Sequence, residues 1–239
     1  MAKKIMFNDK YGLTQAVLEG RKTMTRRGCK YDRPNETYDI VFPVFEPNDY
    51  DNDGNIVSPL NYAFGWRNDE GDFTDWNIPK YKVGEVVAIA QNYRDVEQGG
   101  YPVDSRYDAF RTANWGDGED GVLKSSAGWR NKFFVHADLM PHHIRITNIK
   151  IERLQDISDE DCLAEGVVKV THTVPTKAPQ CLISYYPCLS LKEAADKVGW
   201  GITYSTPQLA FAALIDKVSG KGTWESNPYV FVYEFELID

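Results

Sequence analysis

The sequence predicts an α+β, mainly β fold: a small, strongly curved sheet or barrel with short flanking helices and long insertions. Three observations predict it. Helical segments are few and short beside the strands, and no strand–helix–strand rhythm runs through the chain. Aromatic residues are generous, with 14 Tyr, 11 Phe and 6 Trp, which means either a sheet-rich core or rings that face a ligand. The first and last strands both read as core pieces of one body. The 239 residues are therefore assigned to a single domain, 1–239, with insertions near 28–80, 96–128 and 167–205.

The elements follow in chain order. "DKYGLTQAVLEG" reads as a short helix, because Leu13, Val17 and Leu18 form one apolar stripe. Gly20 can close it, with Arg21 and Lys22 near the negative helix end. "TMTRR" then reads extended. From Glu46 to Asp75 there are eight acidic residues and one basic one, Arg67; this is an irregular insertion that Tyr50, Tyr62, Phe64, Trp66, Phe73 and Trp76 tie to the body. "KYKVGEVVAIAQNYRDV" is a turn at Gly84 followed by an apolar strand. Residues 96–128 are rich in Gly and Asp. "FFVHA" and "HHIRITNIKIERL" read as strands, and the apolar phase changes at Asn148, as a bulge would require. "SDEDCLAEG" is a short helix capped by Ser158 and closed by Gly166. Residues 167–189, with prolines at 175, 179 and 187, read as loop. "SLKEAADKVG" is a capped helix, and "STPQLAFAALIDKVSG" is a longer one with Thr206 as cap and Pro207 at its first position. "NPYVFVYEFELI" closes the chain as a strand, with Tyr229, Phe231, Tyr233 and Phe235 on one face.

Composition narrows the function. The net charge is -8, so the mean surface repels phosphate and tight duplex DNA binding falls outside the expectation. A local basic cleft stays open. No apolar run is long enough for a membrane span and no signal-peptide core follows the start, so no membrane partner and a cytoplasmic address are expected. Cys29, Cys162, Cys181 and Cys188 lack CxxC spacing, and His136, His142, His143 and His172 are scattered; no metal and no cofactor is expected. No glycine-rich nucleotide loop follows a strand.

One stretch departs from the acidic background. "LEGRKTMTRR" holds Arg21, Lys22, Arg26 and Arg27 beside Thr23 and Thr25. The group reads either as a solvated cap matched to the helix dipole or as the edge of a cleft. Arg26 and Arg27 alternate on a strand, so one enters a cleft while the other stays in solvent. Lys22 and Thr25 converge only if the strand begins after Lys22. Glu165 reads as the acid closing a helix, and Asp161 as a cap. His142 and Arg145 form either a phosphate-meeting edge or an ordinary polar face. Trp224 is either a plug over the barrel end or a stacking platform.

Four blocks, in order, carry a family resemblance. "VLEGRKTMTRR" resembles the opening signature of ASCH domains. "YKVGEVVAIAQNYRD", with Glu85 in place of the usual Asp, "ITNIKIERLQDISDEDCLAEGV" and "NPYVFVYEFE" resemble the strands and helix that follow it. The pattern is similar to larger phage and bacterial ASCH-like proteins, in which long segments separate these blocks. The resemblance implies a PUA-like β-barrel and recognition of RNA or a modified nucleobase or nucleoside, with single-stranded RNA or a modified nucleoside as partner. It also implies a catalytic alternative. One small ASCH amidohydrolase deacetylates N4-acetylcytidine, and its lysine, threonine and glutamate fall on Lys22, Thr25 and Glu165. Thr25 would supply the nucleophilic oxygen or place water, Lys22 would take a proton or stabilise an oxyanion, and Glu165 would pass a proton to the leaving amine. The ligand-binding candidates are Arg21, Arg26, Arg27, His142, Arg145 and Trp224. A third alternative is a phage or host interaction scaffold that uses the insertions to meet a protein partner not identifiable from sequence.

Overall fold

The computed structural model describes residues 2–99, 105–115, 122–174, 180–187 and 203–238. Among the described residues are nine strands, six α-helices and seven 3-10 turns. The strands are β1 (Lys4–Ile5), β2 (Met24–Gly28), β3 (Asp39–Val41), β4 (Gly65–Arg67), β5 (Val86–Ile89), β6 (His143–Arg153), β7 (Val168–Val174), β8 (Gln180–Tyr186) and β9 (Tyr229–Leu237). The helices are α1 (Leu13–Leu18), α2 (Tyr93–Gln98), α3 (Ser105–Trp115), α4 (Asp159–Ala164), α5 (Pro207–Ser219) and α6 (Thr223–Ser226).

The expectation of a closed, PUA-like β-barrel and a mainly β balance is corrected by this architecture, which is a mixed α+β fold with open sheets. The main sheet runs β1-β5-β6-β9-β2, and two separate two-stranded sheets pair β3 with β4 and β7 with β8. Closure would require the two edge strands to pair with each other. β1 is only two residues long and lies parallel to β5, with Lys4 opposite Ala88 and Ile5 opposite Ile89. Its edge is bridged to β2 by a side chain: the Arg27 Nη2 donates to the Met6 carbonyl at 2.7 Å. A seam therefore remains between β1 and β2.

The register follows from the residues. β9 is apolar on both faces, so it takes an inner position between β6 and β2. Phe231, Tyr233 and Phe235 enter a core with Ile5, Phe7, Val17, Phe64 and Trp66. Val230 and Val232 enter a second core with Met24, Leu154, Cys162 and Phe211. A third cluster gathers Ala88, Tyr93, Phe110 and Met140. The expected bulge is present, because the β6–β9 register shifts between Ile146 and Asn148. Ser158 caps α4 by accepting from the Asp161 backbone N–H, and Thr206 caps α5 in the same way from Leu209.

Two local expectations are corrected. "FFVHA" is not a strand; Lys132–Phe134 and Ala137–Leu139 are 3-10 turns. The Asn131 side chain accepts from the Phe133 N–H at 3.0 Å and so starts a turn instead. The segment read as loop contains the β7–β8 ladder, with Val168 opposite Tyr186 and Val174 opposite Gln180. Its alternating β-branched residues outweigh the prolines, of which 175 and 179 lie outside the described residues. The expected helix over 190–199 and Cys188 also lie outside them. Among the described residues, no helix is long and apolar enough to cross a membrane.

Candidate functional site

The end of α1 sets the site. Gly20 adopts φ +69°, a left-handed conformation that suits glycine, and the Arg21 and Lys22 backbone N–H groups both donate to the Ala16 carbonyl at 2.9 Å. The chain then crosses between α4 and β9: the Thr23 N–H donates to the Ala164 carbonyl at 2.9 Å, and the Thr23 carbonyl accepts from Phe235 at 2.8 Å. β2 begins at Met24, after Lys22, so strand alternation does not govern the lysine. This path delivers Lys22 to the C-terminal end of α4, where Glu165 stands.

Lys22 and Glu165 are 2% and 4% exposed. The Lys22 Nζ donates to the Glu165 Oε2 at 2.5 Å and to its backbone carbonyl at 2.9 Å, and it lies 5.9 Å from the centre of the Phe7 ring. Arg26, on β2, enters the same network. Its Nη1 meets Glu165 Oε1 at 3.2 Å, its Nη2 meets Asp161 Oδ2 at 2.8 Å, and its Nε donates to Glu152 Oε1 at 3.0 Å. Lys150 completes the network at 2.9 Å from Asp161 and 3.3 Å from Glu152. Three cations thus face three carboxylates, which is how a buried ionic cluster avoids an uncompensated charge.

Titration follows the same geometry. Burial opposes the charge on Arg26, but Glu165, with Glu152 and Asp161, outweighs it and raises the guanidinium above its ordinary value. Burial likewise opposes the Asp161 carboxylate, and the Lys150 and Arg26 hydrogen bonds outweigh it and hold the carboxyl below its ordinary 3.8. A group depressed in the folded state stabilises the fold above its unfolded pKa and loses that contribution as pH falls through its folded pKa. Urea unfolding should therefore show a midpoint that is steady near neutrality and falls below roughly pH 4, and Asp161→Asn should flatten part of that acid limb. Identical acid limbs for the two proteins would exclude this role for Asp161.

The remaining expected site residues are placed as follows. Thr25 is buried on the face of β2 opposite Arg26, level with Tyr233. Arg21 pairs with Glu19 at 2.6 Å near the helix end. Arg145 makes an exposed cross-strand pair with Glu236 at 2.9 Å. His142 lines a separate cavity with Asp9, Thr14 and Gln91. Trp224 packs edge-on against Phe211 at 6.2 Å beside the second core, which is the plug alternative. Lys22, Glu165 and Arg26 are brought together; Arg21, His142, Arg145 and Trp224 do not join them.

Arg27 differs from the other cations of its motif. Among the described residues it has no carboxylate partner. It donates to Met6, lies 5.6 Å from the centre of the Phe7 ring, and holds its Nε buried without an acceptor. It opens onto a cavity of about 350 Å³ at the seam between β1 and β2, walled by Tyr81, Phe231 and Tyr233 and edged by Lys4, Lys30 and Lys80. No family model matches the chain, and no match to it was found among the curated proteins or the solved structures. Among the described residues, no cluster of His, Cys, Asp or Glu is arranged to hold a metal ion.

Sequence reasoning missed the seam cavity. Lys4, Lys30, Lys80 and Tyr81 belong to separate segments, and no local pattern joins them. The sequence offered only the absence of acidic residues at "MAKKIMF" and the basic run that ends at Arg27. Lys150 and Glu152 were missed as partners of Arg26, although both lie on β6 at the same spacing-two face.

Proposed function

We propose that the protein binds a nucleobase or nucleoside, free or within single-stranded RNA, in the seam cavity, and that it does so in the cytoplasm. The observation that carries this reading is Arg27. It is the motif cation left without a carboxylate partner, and it faces a cavity with aromatic walls. An arginine beside aromatic rings suits a planar, polar ligand, since its donors read acceptor edges while the rings supply apolar contact. The cavity volume falls within the range of small-ligand sites. The resemblance of "VLEGRKTMTRR" to ASCH domains supports the same ligand class on the motif alone.

Fluorescence titration tests the proposal with the four ribonucleosides, N4-acetylcytidine, a short single-stranded RNA and a DNA duplex. Arg27→Ala is expected to weaken nucleoside or RNA binding by roughly tenfold or more, the worth of a lost charge-assisted hydrogen bond. The duplex is expected to bind weakly at every salt concentration. Unchanged affinity in a folded Arg27→Ala protein, or tight duplex binding with a steep salt dependence, would overturn it.

Amide hydrolysis is a second reading, favoured by the 2.5 Å contact of Lys22 with Glu165, the pair that the resemblance makes catalytic. Chromatography of N4-acetylcytidine incubated with the protein tests it directly. No cytidine from folded protein would remove this reaction.

A further inference from the structure

The seam cavity has a second property that nucleobase recognition does not use. Four cations, Lys4, Arg27, Lys30 and Lys80, line it, and no carboxylate does. The chain carries a net charge of -8, so an all-cationic lining runs against its composition. The acids whose charge reaches its lining stand outside it: Glu85, paired with Lys3 at 2.9 Å, acts on Tyr81, and Asp32, which lines a different cavity, acts on Cys29. Asp75 reaches the exposed Lys30 only as a field outside the lining.

Lys4, Arg27 and Lys80 have no carboxylate partner among the described residues, while the Lys30 ammonium donates to the Tyr31 hydroxyl at 2.5 Å, which reaches Asp75 at 3.3 Å. Lys4 donates to the carbonyls of Phe133 at 2.7 Å and Val135 at 2.6 Å, which fixes its position without cancelling its charge. Burial lowers its pKa, and the like charge of Lys80 lowers it further; the two ammoniums are close enough to repel. Lys80 has no carboxylate partner among the described residues and lies 5.3 Å from the centre of the Tyr81 ring. The cavity's other ionisable groups supply no anion at neutral pH. Burial pushes the Cys29 thiol up to about 12 and the Tyr81 hydroxyl up to about 12. Like charges gathered around an aromatic floor are relieved when an anion enters among them.

We propose that the seam cavity is a phosphate subsite, so that its ligand is a phosphate-bearing nucleotide instead of a neutral nucleoside. Arg27 and Lys80 meet the phosphate, and Lys4 and the exposed Lys30 add positive field along the lining. The base rests on the aromatic wall. The inference deepens the nucleobase reading and rests on it for the base alone; the anion site stands on its own lining.

Isothermal titration with each ribonucleoside, its 5′-monophosphate and inorganic phosphate, at low and high salt, separates the two. The monophosphate is expected to bind at least tenfold more tightly than its nucleoside at low salt, and the gap is expected to shrink at high salt. Lys30→Gln with Lys80→Gln, both at exposed positions, is expected to lower monophosphate affinity by about that factor. Equal affinity of nucleoside and monophosphate would overturn the phosphate subsite and leave the nucleobase reading intact. Binding of inorganic phosphate that depends on Lys80, without binding of any nucleoside, would keep the subsite and overturn the nucleobase reading. Phosphate binding indifferent to Lys30 and Lys80 would overturn the subsite. A short oligoribonucleotide in the same titration assigns the phosphate to a strand if it binds more tightly than the monophosphate, and to a free nucleotide if it does not.

Discussion

Glu165→Ala is expected to lower the unfolding free energy by about 3–5 kcal/mol, the range for removing one partner of a buried ion pair. The Lys22 ammonium would lose the carboxylate 2.5 Å away while remaining inside the protein. Arg26 would keep Glu152 and Asp161, so most of the cost falls on the lysine. The double variant Lys22→Met/Glu165→Leu removes both charges and fills the space with apolar atoms. It is expected to recover a large part of the loss, because a buried pair offsets little more than its own desolvation. Urea denaturation of the single and double variants measures both effects. A loss under about 1 kcal/mol for Glu165→Ala, typical of a solvated pair, would mean that the contact is open to water.

The same number governs how activity data are to be read. A residue that anchors α4 to the start of β2 can abolish turnover by unfolding the site. Any loss of amide hydrolysis in Glu165→Ala therefore counts as chemistry only at a temperature where the variant is folded. Thr25→Val is the cleaner probe of the catalytic reading. It removes only the hydroxyl and preserves the β-branched shape that suits β2.

Parts of this molecule were legible because they are local. The phase change at Asn148 marks the β6 bulge, since the two-residue period cannot skip a position without one. Ser158 and Thr206 mark helix starts through their own hydroxyls. The open seam was not legible. Whether a sheet closes depends on the partners of its two edges, and the two residues of β1 give no sequence signal of their own. Alternation in "TMTRR" placed Arg26 and Arg27 on opposite faces, but neither stays in solvent, since Arg26 is buried and Arg27 half-buried, and alternation could not say which would be neutralised. That depends on Glu152, Asp161 and Glu165, which lie more than a hundred residues away. Glu165 itself reads as an ordinary helix-closing acid; it was grouped with Lys22 through the family resemblance, not through spacing, and their direct contact was not foreseen. The β7–β8 hairpin was missed because proline was weighted above the alternation of "VKVTHTV".

The insertion near 28–80 offers the other large effect. Six of its aromatics were expected to tie it to the body, and the structure divides them. Phe64 and Trp66 belong to the main core, while Tyr50, Tyr62 and Phe73 remain exposed. Phe64 is 0% exposed, with ring centres 5.5 Å from Phe231, 5.8 Å from Trp66 and 6.1 Å from Tyr229. Its backbone is held by Asn77 in both directions, at 3.1 and 2.7 Å. Phe64→Ala should cost about 3–5 kcal/mol, from lost apolar burial and the cavity left behind. Tyr50→Ala, in the same insertion at 44% exposure, should stay within about 0.5 kcal/mol of the wild type. An insertion that merely decorates the sheet would unfold on its own and leave the main transition unmoved by either change. A single cooperative transition that shifts for Phe64→Ala alone would make residues 63–66 part of the core. It would also connect the insertion to the ligand reading, because Phe231 carries the Phe64 ring on its flank and forms a wall of the seam cavity. Loosening that wall is expected to weaken nucleotide binding even at temperatures where the variant is fully folded, and equal affinity there would confine Phe64 to stability.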